Sequence, residues 1–166
     1  MAVDASTFKA ALGRFSSGVT VITVHTEDGD YGMTASAFCS LSLNPPLVLV
    51  CVNKDSTTQQ RMEASAGFGV SILSAGLKSA SNQYAGYGDQ PQSAFEEDCE
   101  RGEHSAAPLL AGALAWLDCS HHAAHDGGDH IIFVGKVENA AAFGERDALD
   151  PLLYAAGRYH ALGQKL

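Results

Sequence analysis

Short apolar runs separated by turn residues recur along the chain, and their period predicts β-strands. Residues 19–26, with the sequence VTVITVHT, are β-branched almost throughout, which is typical of a strand. After an Asp28-Gly29 turn, residues 31–43 form a second run of small and polar side chains that ends before Pro45. The remaining predicted strands are residues 47–52, 67–73, 109–120 and 130–137.

Helices are predicted in three other stretches: one in which Phe8, Ala11, Leu12 and Phe15 recur at helical spacing, one at residues 57–64 after a capping pair, and a short one at residues 75–84. Asp4 or Ser6 can cap the first of these helices, and Asp55 with Ser56 can cap the second. Helices therefore do not alternate regularly with strands, and no GxGxxG motif follows a strand. We expect a mainly β fold, an antiparallel barrel or sandwich with flanking helices.

Two further stretches are predicted to be irregular. Residues 86–107 are rich in Gly, Gln, Asp, Glu and Ser, and we expect a long surface loop, which in a compact domain is usually functional or mobile. Residues 121–128 are rich in histidine and are predicted to form a polar turn.

Size and charge narrow the possible functions. The chain has 166 residues, which suits a single domain over residues 1–166. Its net charge of -9, without any run of Lys or Arg, argues against a nucleic-acid partner. No apolar run is long enough to cross a bilayer, and the first 15 residues lack the apolar core of a signal peptide, so we expect no membrane association.

The four cysteines have spacings that match neither a metal pair nor a disulfide framework. Three of them lie in apolar stretches, where we expect small buried thiols. Free thiols indicate a reducing compartment, so we expect a cytoplasmic protein.

Two polar constellations flank the apolar strand at residues 47–52. Residues 32–36 (GMTAS) are small, which leaves room for a flat ligand beside the backbone, although a strand packed tightly on another sheet has the same pattern. Residues 53–58 (NKDSTT) place hydroxyls and free amides at a helix start, which suits a phosphate, although an ordinary capped helix looks the same. Lys54 or Arg61 could add positive charge there. Together they could hold the ring and the phosphate of one ligand.

Two more groups have the residue types of a binding site. A histidine-rich cluster comprises His121, His122, His125, Asp126, Asp129 and His130. These residue types suit a divalent metal, but the spacing matches no zinc signature, so we expect no metal. The cluster is then either a solvated loop or a stretch in which His130, at a strand start, faces a ligand while the other residues face solvent. Residues 157–160 (GRYH) pair an aromatic ring with a cation, which could cover a planar ligand or belong to a half-buried terminal strand.

The chain lacks a GxSxG elbow, a Walker loop and an HExxH motif, which favours chemistry performed by a cofactor. The ordered series of its segments resembles the flavin reductase-like family, the reductase components of two-component flavin-dependent monooxygenases. The matching segments include residues 17–23 (SGVTVIT), 32–38 (GMTASAF), 42–50 (SLNPPLVLV) and 128–130 (GDH).

The resemblance implies a six-stranded antiparallel Greek-key split barrel that works as a homodimer. It also implies reduction of FMN or FAD by NADH or NADPH, and transfer of the reduced flavin to a separate monooxygenase. The implied flavin contacts are Met33, Thr34, Ala35 and Ser36 for the ring, Cys51, Val52 and Asn53 for the ring and ribityl chain, Ser56, Thr57 and Thr58 for the phosphate, and Tyr84, Ala85 and Gly86 beside the flavin.

The resemblance also implies that His130 and Tyr159 contact the nicotinamide. His130 would be the catalytic residue and would orient the carboxamide group. The sequence departs from the family where Tyr84 replaces Phe, where Ala37 replaces a common Ser, and over residues 90–106, which match nothing specific.

Three other functions compete with a reductase. A non-catalytic flavin carrier of the same fold would bind flavin without turnover. An oxidase of the pyridoxamine-phosphate type needs several cations for its substrate phosphate, and only 10 Lys and Arg residues are present. A metal-dependent enzyme would use the histidine-rich cluster.

Overall fold

The structure is a computed structural model that describes residues 3–96, 99–145 and 150–163. The helices are α1 (Ala5–Leu12), α2 (Thr57–Ala64) and α3 (Lys78–Tyr84), the last preceded by a 3-10 turn at Ala75–Leu77. The strands are β1 (Ser17–Gly18), β2 (Thr20–Thr26), β3 (Gly29–Ala35), β4 (Phe38–Leu43), β5 (Pro46–Asn53), β6 (Gly67–Ile72), β7 (Glu100–Arg101), β8 (Pro108–Leu109), β9 (Ala115–Asp126), β10 (His130–Ala142), β11 (Leu153–Ala155) and β12 (Arg158–His160).

An antiparallel seven-stranded sheet in the order β3-β2-β6-β9-β10-β5-β4 dominates the fold, so the mainly β prediction is confirmed. The sheet has one strand more than expected because the predicted strand at residues 31–43 divides at Ser36. Its first half, β3, pairs with β2, whereas its second half, β4, pairs with β5. The Cys51 amide donates to the Ala37 carbonyl (3.0 Å), which ties the corner between β3 and β4 to β5.

One apolar core fills the inside of this curled sheet. Alternate residues of β5, namely Val48, Val50 and Val52, point inward, as the period of two requires. They pack with Phe68 of β6 and Met62 of α2, both fully buried. Strands far apart in the sheet thus share one core, which makes the sheet a barrel rather than two separate layers.

The predicted polar turn at residues 121–128 is wrong. β9 runs on to Asp126 and pairs with β10 along its whole length, and the chain turns only at Gly127 and Gly128. Pairing with a long neighbour outweighs the low strand propensity of the polar residues here. The strand predicted at residues 109–120 also begins later in the structure, where β9 starts at Ala115.

The first helix, α1, has the predicted Asp4 cap, but its apolar side chains are more exposed than expected. Asp4 Oδ1 accepts hydrogen bonds from the amides of Ser6 (2.9 Å) and Thr7 (3.0 Å). Its apolar face, however, is not buried: Phe8 and Leu12 are 55% and 52% exposed. This helix face is available to another surface.

The segment predicted as a long loop is tied to the barrel. It contains β7, which pairs with the following strand β8, and its Gln92 carbonyl accepts from the Gly32 amide (2.9 Å). Inside the barrel wall, the buried Asp118 carboxylate accepts from the amides of His104 (2.8 Å) and Ser105 (3.1 Å). Backbone bonds therefore order much of this segment.

The cysteines and the helices bear on the expected buried thiols and on membrane association. Cys119 is buried, Cys51 and Cys99 are half-buried and Cys39 is exposed, so the thiols are less buried than expected. Within the described ranges, no helix has both the length and the apolar composition needed to cross a membrane.

Candidate active site

An open cleft of about 210 Å³ lies where β3, α3 and the C-terminal strands meet. Its lining comprises Val19, Thr34, Ser36, Ala85, Tyr87, Tyr154 and Tyr159. Four of these residues are sequence-predicted site residues, which the fold brings together from three distant parts of the chain. The other three, Val19, Tyr87 and Tyr154, were not among the predicted site residues.

The strand period explains which residues of β3 face the cleft. Met33 and Ala35 contact the core of the barrel, so Thr34 and Ser36 lie on the opposite side. The Ser36 hydroxyl makes no hydrogen bond to any described residue and is exposed. Met33 and Ala35 can therefore reach a ligand in the cleft only through their backbone groups.

A close approach of α3 to β3 closes one side of the cleft. A Cβ atom on Gly32 would lie 2.5 Å from Tyr84 Cδ1, so glycine is what lets the tyrosine ring pack on the strand. Tyr84 is 3% exposed, stacks on Phe95 at 5.1 Å between ring centroids, and donates to the Ala94 carbonyl (2.9 Å). Burial raises the pKa of this phenol. Its side chain is thus a packing element, while the following Ala85 lines the cleft.

The buried Ser81 connects three elements at the cleft. Its carbonyl accepts from Thr34 Oγ1 of β3 (2.6 Å), and its hydroxyl lies 2.8 Å from the Tyr159 hydroxyl of β12. Tyr159 also meets Tyr154 edge-on, at 5.6 Å between ring centroids. These contacts fix the C-terminal hairpin against α3.

A second group of predicted residues lies at the end of β5 and the start of α2. Ser56 caps α2: its Oγ accepts from the Gln59 amide (3.2 Å) and donates to the Asn53 carbonyl (2.7 Å). The amides of Thr57 and Thr58, in the first helical turn, have no acceptor within the helix. Free amides and hydroxyls at a helix N-terminus are well suited to a phosphate.

The two cations near this helix, Lys54 and Arg61, bind other groups of the protein and do not point a free charge at the helix start. Lys54 Nζ pairs with Asp126 Oδ2 (2.5 Å), and this bond lowers the pKa of the carboxyl group. Arg61 lies over the Tyr31 ring at 5.1 Å and donates to the Gly29 carbonyl (3.1 Å). Hydroxyls and amides rather than cations therefore characterise the start of α2.

His130 stands beside this second group. It pairs with Asn53 across the β5–β10 ladder, and its Nδ1 lies 2.7 Å from Asp129 Oδ1. The bond from His130 lowers the pKa of the Asp129 carboxyl. No hydrogen bond or ring contact joins His130 to Tyr159 in the described part of the chain, and His130 does not line the cleft that contains Tyr159.

Both groups meet at the corner that follows β3. Ser36 precedes Ala37, whose carbonyl binds the Cys51 amide, and β5 continues from Cys51 through Val52 to Asn53. Val52 is buried in the barrel, so its backbone alone can face a ligand.

Burial, with a smaller effect of Cys39, raises the pKa of the Cys51 thiol. The last of the predicted flavin residues, Gly86, follows α3 with φ +80.

The histidine-rich cluster is not assembled around a metal position. His121 points inward, lies 3.1 Å from Ser65 Oγ through Nε2 and has its pKa lowered by burial, whereas His122 and His125 are exposed. Among the described residues, no three His, Cys, Asp or Glu side chains are grouped to hold a metal ion.

Residues 12–163 match the sequence model of the family named flavin reductase like domain. The chain is similar to an NADH-dependent FAD reductase of Streptomyces globisporus, with 42% identity over 158 residues, 94% of this chain and 85% of the relative. It is also similar to the reductase component of 4-hydroxyphenylacetate 3-monooxygenase of Thermus thermophilus, with 40% identity over 155 residues, 93% of this chain and 95% of the relative.

A solved structure has the same fold. The Streptomyces globisporus NADH:FAD oxidoreductase SgcE6, in complex with NAD and FAD fragments, matches with a TM-score of 0.85 and 40% identity. The match covers 98% of this chain and 97% of that chain.

Proposed function

The chain belongs to the flavin reductase-like domain family, and from this premise we propose that it reduces FMN or FAD with NADH or NADPH. The observation that carries the proposal is the convergence of Thr34, Ser36, Ala85 and Tyr159 on one cleft, connected through the Ala37–Cys51 contact to the capped start of α2. The relatives are named as reductases, which favours turnover over a mere flavin carrier.

The residues present fit a flavin. The Ser36 hydroxyl, which has no partner among the described residues, and the β3 backbone offer hydrogen bonds to the polar edge of a planar ring. The backbone of Cys51 and Asn53 lies next along the surface, and the Ser56 cap with the amides of α2 suits a phosphate. When bound, the flavin supplies the redox chemistry, since it accepts a hydride from the reduced nicotinamide.

The chain itself contributes alignment of the two rings. The Ser81 contacts fix Tyr159 over the cleft, so that an incoming planar group meets a rigid aromatic wall. Holding two rings together replaces a bimolecular search, which is a large part of the barrier in such reactions. Backbone donors of β3 and β5 stabilise negative charge that develops on the bound ring.

His130 orients the nicotinamide carboxamide. Its Nδ1 is engaged by Asp129, which leaves Nε2 as the nitrogen able to bind a ligand. We expect His130→Ala to raise KM for NADH more than it raises the flavin Kd. An equal loss of both affinities would argue against this role.

A homodimer completes the site in this proposal. The cleft of about 210 Å³ is smaller than typical ligand sites of roughly 300–1,000 Å³. Large apolar side chains are exposed on α1 and β4, with Phe8 at 55%, Phe15, beyond α1, at 75% and Leu43 at 92%. A second copy of the chain would cover these residues and add a further wall, which light scattering at working concentration can test.

The recipient of the reduced flavin is a separate flavin-dependent monooxygenase. Its support is the relative from Thermus thermophilus, named as the reductase component of such an enzyme. We place the pair in the cytoplasm, where the thiols of Cys39, Cys51 and Cys119 remain reduced.

The proposal is tested by anaerobic mixing of the protein with FMN or FAD and each reduced nicotinamide cofactor. We expect the visible absorbance of the flavin to bleach with turnover, and to return when oxygen is admitted. Flavin that binds without bleaching would identify a carrier, and flavin that does not bind would refute the proposal as a whole.

A further inference from the structure

Electrostatics poses a problem for an acidic reductase. The chain has a net charge of -9, yet a nicotinamide dinucleotide brings two negative phosphates to its surface. Local positive potential must then oppose the overall charge at the binding site. Three of the eight described Lys and Arg side chains are unsuited to this task because carboxylates neutralise them, in the pairs Lys54–Asp126, Arg101–Asp30 and Lys136–Glu138.

Lys78 differs from these cations in both its position and its lack of a carboxylate partner. It begins α3, and Ser81 and Ala85 follow at three and seven residues, on the same helix face. Its ammonium group lies 5.9 Å from the centre of the Tyr159 ring, and the side chain is exposed. It forms no ion pair with any residue in the described ranges. Lys78 therefore places a free positive charge at the edge of the cleft.

Two further cations lie along the same C-terminal hairpin. Arg158 is exposed and directly precedes Tyr159, and Arg14 follows Gly13, whose carbonyl accepts from the Ala156 amide (2.9 Å). Neither arginine forms an ion pair within the part of the chain that the structure describes. Among the described residues, Lys78, Arg158 and Arg14 are thus three cations without an ion pair on or next to the elements that hold Tyr159, whereas the start of α2 offers mainly hydroxyls and amides.

We propose that Lys78 binds the pyrophosphate of the nicotinamide dinucleotide. The inference rests on the proposed function, since it takes Tyr159 to cover the nicotinamide. With the flavin phosphate at the start of α2, the ammonium group beside Tyr159 remains for the phosphates of the second cofactor. Arg158 and Arg14 add positive charge on and next to the same C-terminal hairpin.

The test compares two electron donors on the Lys78→Gln variant. NADH carries the pyrophosphate, whereas 1-benzyl-1,4-dihydronicotinamide carries the same reactive ring without any phosphate. We expect KM for NADH to rise about tenfold, the effect of losing one charged hydrogen bond at an exposed site. The rate with the benzyl compound and the Kd for FMN stay unchanged. Lys78→Arg should restore most of the NADH affinity.

Lys136→Gln is the matched control, because it removes the same charge from a lysine that pairs with Glu138. Its KM for NADH should stay near that of the wild type. As a second measurement that needs no variant, added salt should raise the wild-type KM for NADH and leave that for the benzyl compound unaffected.

Several results would overturn the assignment. An unchanged KM for NADH in Lys78→Gln, or an equal loss with the benzyl compound, would remove Lys78 from pyrophosphate binding. A raised Kd for FMN with an unchanged KM for NADH would move it to the flavin phosphate, and an effect confined to NADPH would move it to the 2′-phosphate. Failure of the proposed function itself is distinct, because the wild type would then not oxidise NADH.

Discussion

Substitution of Gly32 by alanine should disturb the cleft through the packing of α3. The added Cβ would lie 2.5 Å from Tyr84 Cδ1, 2.8 Å from Tyr84 Cε1 and 3.2 Å from Phe95 Cζ. Separations below 3 Å are too short for carbon atoms, so one side must move. The tyrosine ring has little freedom to do so, because it is buried, stacked on Phe95 and hydrogen-bonded to the Ala94 carbonyl.

The cost can be bounded from the contacts at stake. Overpacking by one methyl group in a tight site typically lowers the free energy of unfolding by about 1–3 kcal/mol. Because the tyrosine ring is buried, we expect Gly32→Ala to lower it by about 2 kcal/mol. A shift of α3 away from β3 would also lengthen the 2.6 Å bond from Thr34 to the Ser81 carbonyl. Since Ala85 moves with the helix, we expect flavin affinity to fall together with stability.

Urea unfolding and a flavin fluorescence titration measure both effects. Gly18→Ala is the control, because nothing lies within 4 Å of its added Cβ and its backbone is not in the left-handed region. We expect the control to stay within about 0.5 kcal/mol of the wild type. If Gly32→Ala were equally stable and bound flavin normally, the close packing of Tyr84 on β3 would be refuted.

Three further predictions follow from buried groups. In a double-mutant cycle of Ser81→Ala and Tyr159→Phe, urea unfolding should give a coupling of about 1 kcal/mol for their 2.8 Å hydrogen bond; strictly additive losses would contradict it. Burial lowers the pKa of His121 from 6.5, so the unfolded chain binds more protons and wild-type stability falls as the pH drops below about 6.5. His121→Gln should flatten this dependence, and an unchanged slope would count against it. Burial raises the pKa of Cys119 to about 12, so iodoacetamide at neutral pH should alkylate the exposed Cys39 first by peptide mass mapping, and equal labelling would disagree.

Local signals were sufficient for much of the fold. The β-branched run of β2 and the Asp4 cap each depend on neighbouring residues alone, and both were predictable. The split of residues 31–43 was not, because both halves have the same composition and only their partners, β2 and β5, separate them. The extension of β9 to Asp126 was missed for a similar reason, since its pairing with β10 outweighs its polar composition.

The candidate site divides in the same way. Thr34, Ser36 and Ser56 could be found from small residues on a strand and hydroxyls at a helix start. Ser81 could not, because its bond to Tyr159 joins residues 78 positions apart and no local pattern marks it. No local pattern indicated that His130 would pair with Asn53 across β5 and β10.

In the proposed complex, one flavin spans the cleft beside β3 and the start of α2. A crystal structure of this chain with FMN tests this arrangement most directly. We expect the isoalloxazine ring against Thr34 and Ser36, and the phosphate at Ser56, Thr57 and Thr58. A flavin lodged elsewhere on the protein, or one whose phosphate points away from α2, would contradict it.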